Sequence, residues 1–285
     1  MTVRVGILPH RERAAAIELA HEAATWLSAH GATAVLPAAE ADLVGLPALG
    51  VEPERFPDGL DVVVSLGGDG TMLRTIDQVY EAGVAVLGVN VGQMGYLTEV
   101  EPVDLDVALE RLLVGDYHVE ERMMLAIDVH SSGPAGGRWF ALNETVIEKA
   151  RTGHMARLEV GINGAFFTTY AADALIVATP TGSTAYSFSA RGPIVSPRHR
   201  CLLLTPVSPH MLFDRSLVLD AAEDVGITVT GAIGAAMTVD GRELGDLDPG
   251  DVIACTAASK PARVVSFVPR DFHQILKAKF GLADR

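Results

Sequence analysis

The sequence predicts an α/β domain with a parallel sheet, followed by a β-rich domain of antiparallel sheets or a sandwich. Over the first hundred or so residues, short apolar runs alternate with stretches of helical periodicity, which is typical of a parallel sheet with helices on both faces. After about residue 117, short runs with period two or apolar throughout dominate. A last amphipathic segment, residues 271–280, predicts a helix that packs back on the first domain. The predicted domains are residues 1–117, 118–268 and 269–285.

The elements of the first domain follow from the spacing of apolar residues. Ala16, Ala20, Ala23 and Leu27 recur at helical spacing, whereas Val62, Val63 and Val64 form the continuous apolar run of a strand covered on both faces. The predicted strands are residues 3–8, 33–36, 61–66 and 84–89, and the predicted helices are residues 11–30, 72–81 and 105–112.

The second domain is predicted to consist of short strands joined by tight turns. Asn163-Gly164 and Asp240-Gly241 are the dipeptides that two-residue hairpins favour. The predicted strands are residues 120–129, 138–147, 156–162, 165–170, 174–178, 201–207, 226–230, 235–239, 252–256 and 264–268.

Composition excludes several classes of protein. The formal net charge of −14 argues against a general nucleic-acid binder, which must neutralise phosphates. No apolar run is long enough for a membrane-spanning helix, and the N-terminus has no signal-peptide pattern. Cys201 and Cys255 stand alone without metal-ligand spacing. We therefore expect a cytoplasmic protein whose partners are small molecules, with neither nucleic acid nor membrane among them.

The most informative motif is the segment Gly67-Gly-Asp-Gly-Thr71, which follows a buried strand. Its glycines allow a ligand to approach the backbone closely, and Thr71 is predicted to cap the helix at residues 72–81. Asp69 would repel phosphates unless it faces a hydroxyl that must lose a proton, or a magnesium ion. The motif therefore suggests phosphoryl transfer. An ordinary Asp-Gly turn remains the alternative. Neither the Walker pattern nor the Rossmann fingerprint is present.

A second dense stretch, residues 171–186, ends a strand in Thr-Pro-Thr-Gly-Ser-Thr. Ser183 or Thr184 is predicted to cap a short helix that continues to about residue 190. The hydroxyls and helix amides of this turn suit ribose or phosphate oxygens. Taken alone, the same residues are equally typical of an ordinary loop.

Together the motifs give the chain a resemblance to the NAD kinases, which transfer a phosphoryl group to the 2′-hydroxyl of the adenosine ribose of NAD. Related lipid kinases and phosphofructokinases share the glycine-rich signature in similar form. The discriminating matches, which run in order along nearly the whole chain, are Asn90-Val-Gly-Gln-Met-Gly-Tyr-Leu97, Asn143-Glu144, Asp173 through Tyr186, Ser208-Pro-His210, Asp214-Arg215 and Val239-Asp-Gly241.

The resemblance implies a role for each matched residue. Asp69 would be the base or orienter for the acceptor hydroxyl, and Asn143 and Glu144 would bind the adenosine part of NAD. The residues expected near the donor phosphates are Gly67, Gly68, Gly70, Thr71 and Asn90. The residues expected to bind NAD are Asp69, Gly70, Asn143, Glu144, Asp173, Thr181, Ser183, Thr184, Ala185, Tyr186 and Ser189.

The resemblance also implies ATP with Mg²⁺ or another divalent cation as donor, with polyphosphate as an alternative, and a homodimer or homotetramer. No side-chain cluster predicts a metal site. One departure is notable, because Ala172 and Ala174 flank Asp173 where the family commonly has glycine. If those positions need positive φ, each alanine costs roughly 1 kcal/mol, or the local turn differs. Two alternatives stay open: a related kinase with a lipid or nucleoside acceptor, and a non-catalytic dinucleotide-binding regulator.

Overall fold

The computed structural model describes residues 2–92, 95–269 and 271–282. The chain forms two units: the first unit is Met1–Glu121 with Ala262–Arg285, and the second unit is Arg122–Pro261. Within the described ranges, no helix is both long and apolar enough to cross a membrane.

The helices are α1 (Ala14–Ala29), α2 (Ala38–Val44), α3 (Asp69–Val79), α4 (Leu105–Val114), α5 (Tyr186–Ser189) and α6 (Phe272–Phe280). The strands are β1 (Arg4–Pro9), β2 (Thr33–Pro37), β3 (Gly50–Val51), β4 (Val62–Gly67), β5 (Ala85–Asn90), β6 (His118–Arg122), β7 (Leu125–His130), β8 (Gly137–Ala141), β9 (Glu144–Lys149), β10 (Ala156–Ile162), β11 (Ala165–Ala172), β12 (Ala174–Ala178), β13 (Cys201–Val207), β14 (Leu217–Asp220), β15 (Val225–Val229), β16 (Ala235–Val239), β17 (Arg242–Leu247), β18 (Val252–Ala257) and β19 (Ala262–Ser266).

The first unit is built on a seven-stranded sheet with the order β3-β2-β1-β4-β5-β19-β6. The pairs β1–β2, β1–β4, β4–β5 and β5–β19 are parallel, which confirms the predicted parallel sheet. Buried residues of α1 and α4 share one apolar core with Val62, Val64 and Leu66 of β4. The carboxyl ends of the parallel strands therefore meet at one edge, the usual place for a ligand in such a sheet.

The strand predicted at residues 264–268 is present, but it belongs to a different sheet from the one we predicted. We predicted a strand of the antiparallel half, but β19 pairs in parallel with β5 in the first unit. Val264, Val265 and Ser266 are consecutive and buried, and this is the pattern of a strand covered on both faces.

The second unit contains two six-stranded sheets, with the orders β11-β10-β15-β18-β7-β8 and β14-β13-β12-β9-β16-β17. Every pair for which a register is defined in these sheets is antiparallel, as predicted. Residues of both sheets, such as Leu158 and Leu175, share one apolar core. Both predicted hairpin turns are confirmed, because Asn163-Gly164 has φ values of 51° and 72° and Asp240-Gly241 has 48° and 76°.

Two long predicted strands are each divided in the structure. Residues 120–129 form parts of β6 and β7, and residues 138–147 form parts of β8 and β9. The second break has a clear cause, because the carboxylate of Asp240 accepts the backbone N–H groups of Leu142, Asn143 and Glu144. Strands β14 and β17 were not predicted.

The predicted C-terminal helix is confirmed as α6. Asp271 caps it, since its Oδ1 accepts the N–H groups of His273 and Gln274. The helix contacts the body of its own unit, where Lys279 Nζ lies 4.4 Å from the centre of the Tyr96 ring.

Candidate active site

The glycine-rich turn connects β4 to α3. The helix begins at Asp69, with Gly68 as its N-cap residue and no side-chain cap. The prediction that Thr71 caps the helix is therefore wrong. Thr71 lies in the first turn with its side chain buried against Gly67, where an added Cβ would lie 2.2 Å from Thr71 Oγ1. Gly67 is needed so that the chain can pack this closely on its own first helical turn.

Asp69 is held by the backbone of a neighbouring segment. Its Oδ2 accepts the N–H of Tyr96 at 2.8 Å, and its Oδ1 accepts the N–H of Leu97 at 3.0 Å. A Cβ on Gly95 would lie 1.9 Å from Asp69 Oδ1, so glycine at this position makes room for the carboxylate. The motif that begins at Asn90 thus positions Asp69, although its residues Gln93 and Met94 lie outside the described residues.

Asn90 lies buried at the end of β5, next to the glycine-rich turn. Its Nδ2 donates to Glu101 Oε1 at 3.0 Å, while its Oδ1 has no partner among the described residues. Asn90 is not among the residues that line the cleft beside Asp69.

That cleft has a volume of about 630 Å³, and its lining has a net positive charge. Four positively charged residues that the sequence analysis missed lie around Gly68, Asp69, Gly70 and Thr71, and they are Arg11, Arg13, Arg74 and Lys279. The acids that line it are Asp69 and Glu12. Clustered guanidinium and ammonium groups at a helix start are suited to a polyanion such as a chain of phosphates.

Backbone carbonyl groups hold two of these arginines in place. Arg13 donates to the carbonyl of Val91, and Arg74 Nη2 donates to the carbonyl of Pro9 at 2.5 Å. Burial lowers the pKa of Arg74, an effect that nearby Glu40 opposes and nearby Arg11 reinforces. Arg11 follows the carboxyl end of β1, and Arg74 lies one helical turn beyond Thr71. Both signals were available in the sequence, whereas nothing local pointed to Lys279.

A second group of predicted residues forms a polar site in the second unit. Glu144 begins β9, and Asp240 fixes the backbone before it by accepting N–H groups at 2.7, 2.8 and 3.1 Å. The Glu144 side chain is buried; the backbone N–H of Tyr186 hydrogen-bonds to its carboxylate, while Oε2 has no partner among the described residues. Burial and the nearby carboxylate of Asp240 raise the pKa of Glu144 to about 8.

The turn after β12 packs directly on Asn143. It consists of a 3₁₀ turn, Thr181–Thr184, followed by α5. A Cβ on Gly182 would lie 2.2 Å from the carbonyl oxygen of Asn143, and the N–H of Thr179 donates to that oxygen at 2.8 Å. The two separate motifs therefore form one local structure.

The predicted cap of α5 is wrong, because its N-cap residue is Ala185 and no side chain caps it. Ser183 is buried, and its Oγ donates to the carbonyl of Val195 and accepts the N–H of Val195, both at 3.0 Å. Thr184 Oγ1 donates to the carbonyl of Thr181 at 3.3 Å. Tyr186 and Ser189 are exposed, Ala185 is half-buried and Thr181 is buried.

Asp173 lies between β11 and β12, where its Oδ1 accepts a hydrogen bond from Lys149 Nζ at 2.5 Å. Ala172 and Ala174 are buried on either side, and neither has positive φ. The strain that glycine would have avoided is therefore absent, because the backbone here needs no left-handed residue.

Comparison with known proteins decides the family. A profile of the ATP-NAD kinase N-terminal domain matches residues 49–117, and one of the ATP-NAD kinase C-terminal domain matches residues 142–267. An NAD kinase of Heliobacterium modesticaldum is 42% identical over 277 residues, which cover 96% of this chain and 97% of that protein. An NAD kinase of Moorella thermoacetica is 39% identical over 279 residues, which cover 97% and 88% of the two chains.

The chain belongs to the NAD kinase family. Solved structures agree in fold. The crystal structure of yeast NADH kinase complexed with NADH has a TM-score of 0.91 at 24% identity, covering 100% of this chain and 89% of that one. An NAD kinase from Archaeoglobus fulgidus in complex with ATP has a TM-score of 0.72 at 24% identity, covering 99% and 98%. The lipid-kinase and regulator alternatives are not favoured by these NAD kinase matches.

Proposed function

We propose that this chain phosphorylates the 2′-hydroxyl of the adenosine ribose of NAD, with ATP as donor, to give NADP. The observation that carries the proposal is the Asp69 carboxylate in a cleft lined by Arg11, Arg13, Arg74 and Lys279. A carboxylate among cations suits the transfer of a polyanionic group to an alcohol, because the cations offset the phosphate charge and the acid faces the hydroxyl proton.

Asp69 is proposed as the base or orienter of the acceptor hydroxyl. A secondary alcohol is a weak nucleophile at neutral pH, so a carboxylate within hydrogen-bond reach helps as its proton leaves. The two backbone N–H groups of Tyr96 and Leu97 fix the carboxylate in position. This pre-organisation matters because phosphoryl transfer depends mainly on positioning and charge neutralisation.

The donor phosphates are proposed to lie along the start of α3. The N–H groups of Thr71 and Met72 already donate to the carbonyl of Gly68, so the donors that this helix start offers an anion are those of Asp69 and Gly70. Gly67 and Asn90 shape the strand ends next to this site, and the cleft residues proposed to contact phosphates are Gly68, Gly70, Thr71, Arg11, Arg74 and Lys279.

NAD recognition is proposed for the polar site of the second unit. Glu144 is buried, and its Oε2 accepts no hydrogen bond among the described residues. A ligand whose hydroxyl donates to this oxygen would be favoured. Asn143 presents the adjoining backbone and amide, and exposed Tyr186 offers an aromatic face for stacking. The remaining proposed contacts are Asp173, Thr181, Ser183, Thr184, Ala185 and Ser189, with the buried Ser183 contributing through its backbone.

A divalent cation is proposed to accompany ATP. Among the described residues no group of three or more His, Cys, Asp and Glu could hold a metal ion. Mg²⁺ commonly uses only one or two carboxylates, and its other ligands are substrate phosphates and water. Glu12, the other acid of the cleft, fits that role. The bound ion would supply neutralisation of the phosphate charge.

We also propose a cytoplasmic homodimer or homotetramer. Phe166 and Phe167 are exposed on β11, an edge strand of its sheet, and such an edge favours association with another copy. Light scattering coupled to gel filtration would give the subunit number, and a monomer at all concentrations would contradict this part of the proposal.

The activity is tested by incubating the purified protein with NAD, ATP and Mg²⁺ and measuring NADP with an NADP-specific dehydrogenase. We expect NADP to accumulate in proportion to enzyme. Parallel reactions with polyphosphate in place of ATP identify the donor. A protein that binds NAD without forming NADP from either donor would contradict the proposal.

A further inference from the structure

Glu40 is a fully buried acid whose partners line the phosphate cleft. It lies in the first turn of α2 and has a relative exposure of 0%. Its Oε1 accepts Arg11 Nε at 2.8 Å and lies 3.3 Å from Arg74 Nη1. Its Oε2 has no partner among the described residues. Burying a carboxylate costs free energy unless the charge is paired. The pairing of Glu40 with two arginines is therefore the feature to be explained.

The two arginines come from separate parts of the first unit. Arg11 follows β1, whereas Arg74 lies on α3, the helix that Asp69 begins. Glu40 is the one group that the described contacts join to both guanidinium groups. A single carboxylate oxygen therefore fixes the position of one arginine relative to the other and relative to Asp69.

Such a link has a physical effect on both side chains. An arginine side chain has high rotamer entropy. A partner that already holds the guanidinium reduces the side-chain entropy that is lost when a phosphate binds. Two adjacent guanidinium groups also repel each other, and a carboxylate between them offsets this repulsion. The exposed fractions of the side chains, 57% for Arg11 and 29% for Arg74, leave surface on both for a ligand.

We propose that Glu40 is a positioning residue that holds Arg11 and Arg74 in the arrangement that binds the donor phosphates. This inference rests on the proposed function of the cleft. It adds a residue that is not in the cleft lining and that acts only through the two arginines.

The test measures the Kd of ATP and of inorganic tripolyphosphate by calorimetry, with the KM for ATP and for NAD. In Glu40→Gln, which keeps the side-chain volume and removes the charge, we expect both Kd values and the KM for ATP to rise about tenfold, a typical effect of losing a charge-assisted contact. We expect the KM for NAD to change less than about twofold, because the acceptor residues are elsewhere. A general loss of structure would raise both KM values together.

Two variants serve as controls. Asp61→Asn makes the same chemical change at an exposed acid that accepts the N–H of Arg4 at the amino end of β4, and we expect wild-type ATP binding. Glu40→Asp keeps the charge but is one methylene shorter, and it is the deciding variant if Glu40→Gln does not fold. We expect it to weaken ATP binding by about threefold, a partial loss of the same contact.

The outcomes separate this inference from the proposed function. If the wild-type protein binds neither ATP nor tripolyphosphate, the proposed cleft is wrong. If the wild type binds both and the Glu40 variants bind equally well or more tightly, the positioning role is wrong. In a protein that already lacks the arginines, Arg11→Met with Arg74→Met, we expect Glu40→Gln to have no further effect, and an undiminished effect there would also overturn it.

Discussion

The two carboxylates at the centre of the two sites lie in opposite environments. Asp69 is half-buried and accepts two backbone N–H groups, with cations around it. Glu144 is buried beside a second carboxylate, that of Asp240, and its pKa is raised to about 8. The Asp69 carboxylate is held as an acceptor by two backbone donors, whereas the raised pKa of Glu144 favours the neutral acid while no ligand is bound. We therefore expect these two acids, which belong to different motifs, to have different roles.

Each of the two sites contains a glycine that makes room for a neighbouring group, and the two groups differ. Gly95 makes room for the carboxylate of Asp69, which is the end of a side chain, whereas Gly182 makes room for the backbone carbonyl of Asn143. A side chain can move aside at little cost in folding, but the backbone of Asn143 is held by hydrogen bonds to Thr179 and Asp240 and cannot. Substitution at the two glycines should therefore affect different properties of the protein.

The largest effect is expected from the pH dependence of Glu144. Its pKa rises from 4.5 to about 8 on folding, so the stability it contributes is fully present below about 4.5 and is lost as pH rises through about 8. Glu144→Gln resembles the protonated acid and should match the wild type at about pH 4 but exceed its free energy of unfolding at about pH 9. The difference is on the order of 4 kcal/mol.

This prediction is checked by urea unfolding at both pH values without ligand. Glu159→Gln, on an exposed position of β10, is the matched control and should track the wild type. Identical pH slopes in the wild type and in Glu144→Gln would mean that Glu144 is charged in the folded protein.

Next in size is the loss of catalysis on removing the charge of Asp69. We expect Asp69→Asn to fold and to lose at least about 10²-fold in kcat, the scale of a general-base contribution. The measurement is NADP formation at saturating NAD and ATP. Asp106→Asn, on an exposed position of α4, should retain full activity. Near-normal turnover in Asp69→Asn would remove this residue from its proposed role.

A structural effect of intermediate size is expected at Gly182. A methyl group there would lie 2.2 Å from the carbonyl oxygen of Asn143, and the backbone would have to move. We expect Gly182→Ala to lower the free energy of unfolding by about 1–3 kcal/mol, the usual cost of overpacking. In Gly226→Ala, where an added Cβ meets nothing within 4 Å, the loss should be much smaller. Equal losses by urea unfolding would contradict the argument.

Sequence patterns predicted those parts of the fold and of the site that are local in the chain. The apolar run of β4, the glycine-rich turn and the hairpin at Asn163-Gly164 depend on neighbouring residues, and the structure confirms them. The cap at Thr71 was wrong because the threonine side chain packs on Gly67 instead of reaching a free N–H group, a contact that propensity does not encode.

The cationic lining of the cleft was not predicted. Arg11 and Arg74 each lie near a strand or helix end that the sequence shows, but only the tertiary structure brings them together with Lys279. Arg11, Arg74 and Lys279 are far apart in the sequence and come together only when β1, α3 and α6 are in place. The same holds for Glu40, which reads in the sequence as an ordinary acid in the first turn of a helix. The proposed contacts of all the site residues stay predictions until ligands are bound.

The smallest effect is expected at Gly95. A Cβ there would lie 1.9 Å from Asp69 Oδ1, so Gly95→Ala should displace the carboxylate from the N–H groups of Tyr96 and Leu97. We expect kcat to fall about tenfold, equivalent to about 1.4 kcal/mol in the activation barrier, with less loss of stability than in Gly182→Ala. The effect should depend on the carboxylate, so Gly95→Ala should cost little more in the Asp69→Asn background. If the tenfold loss persists there, Gly95 acts on the reaction by a route other than Asp69.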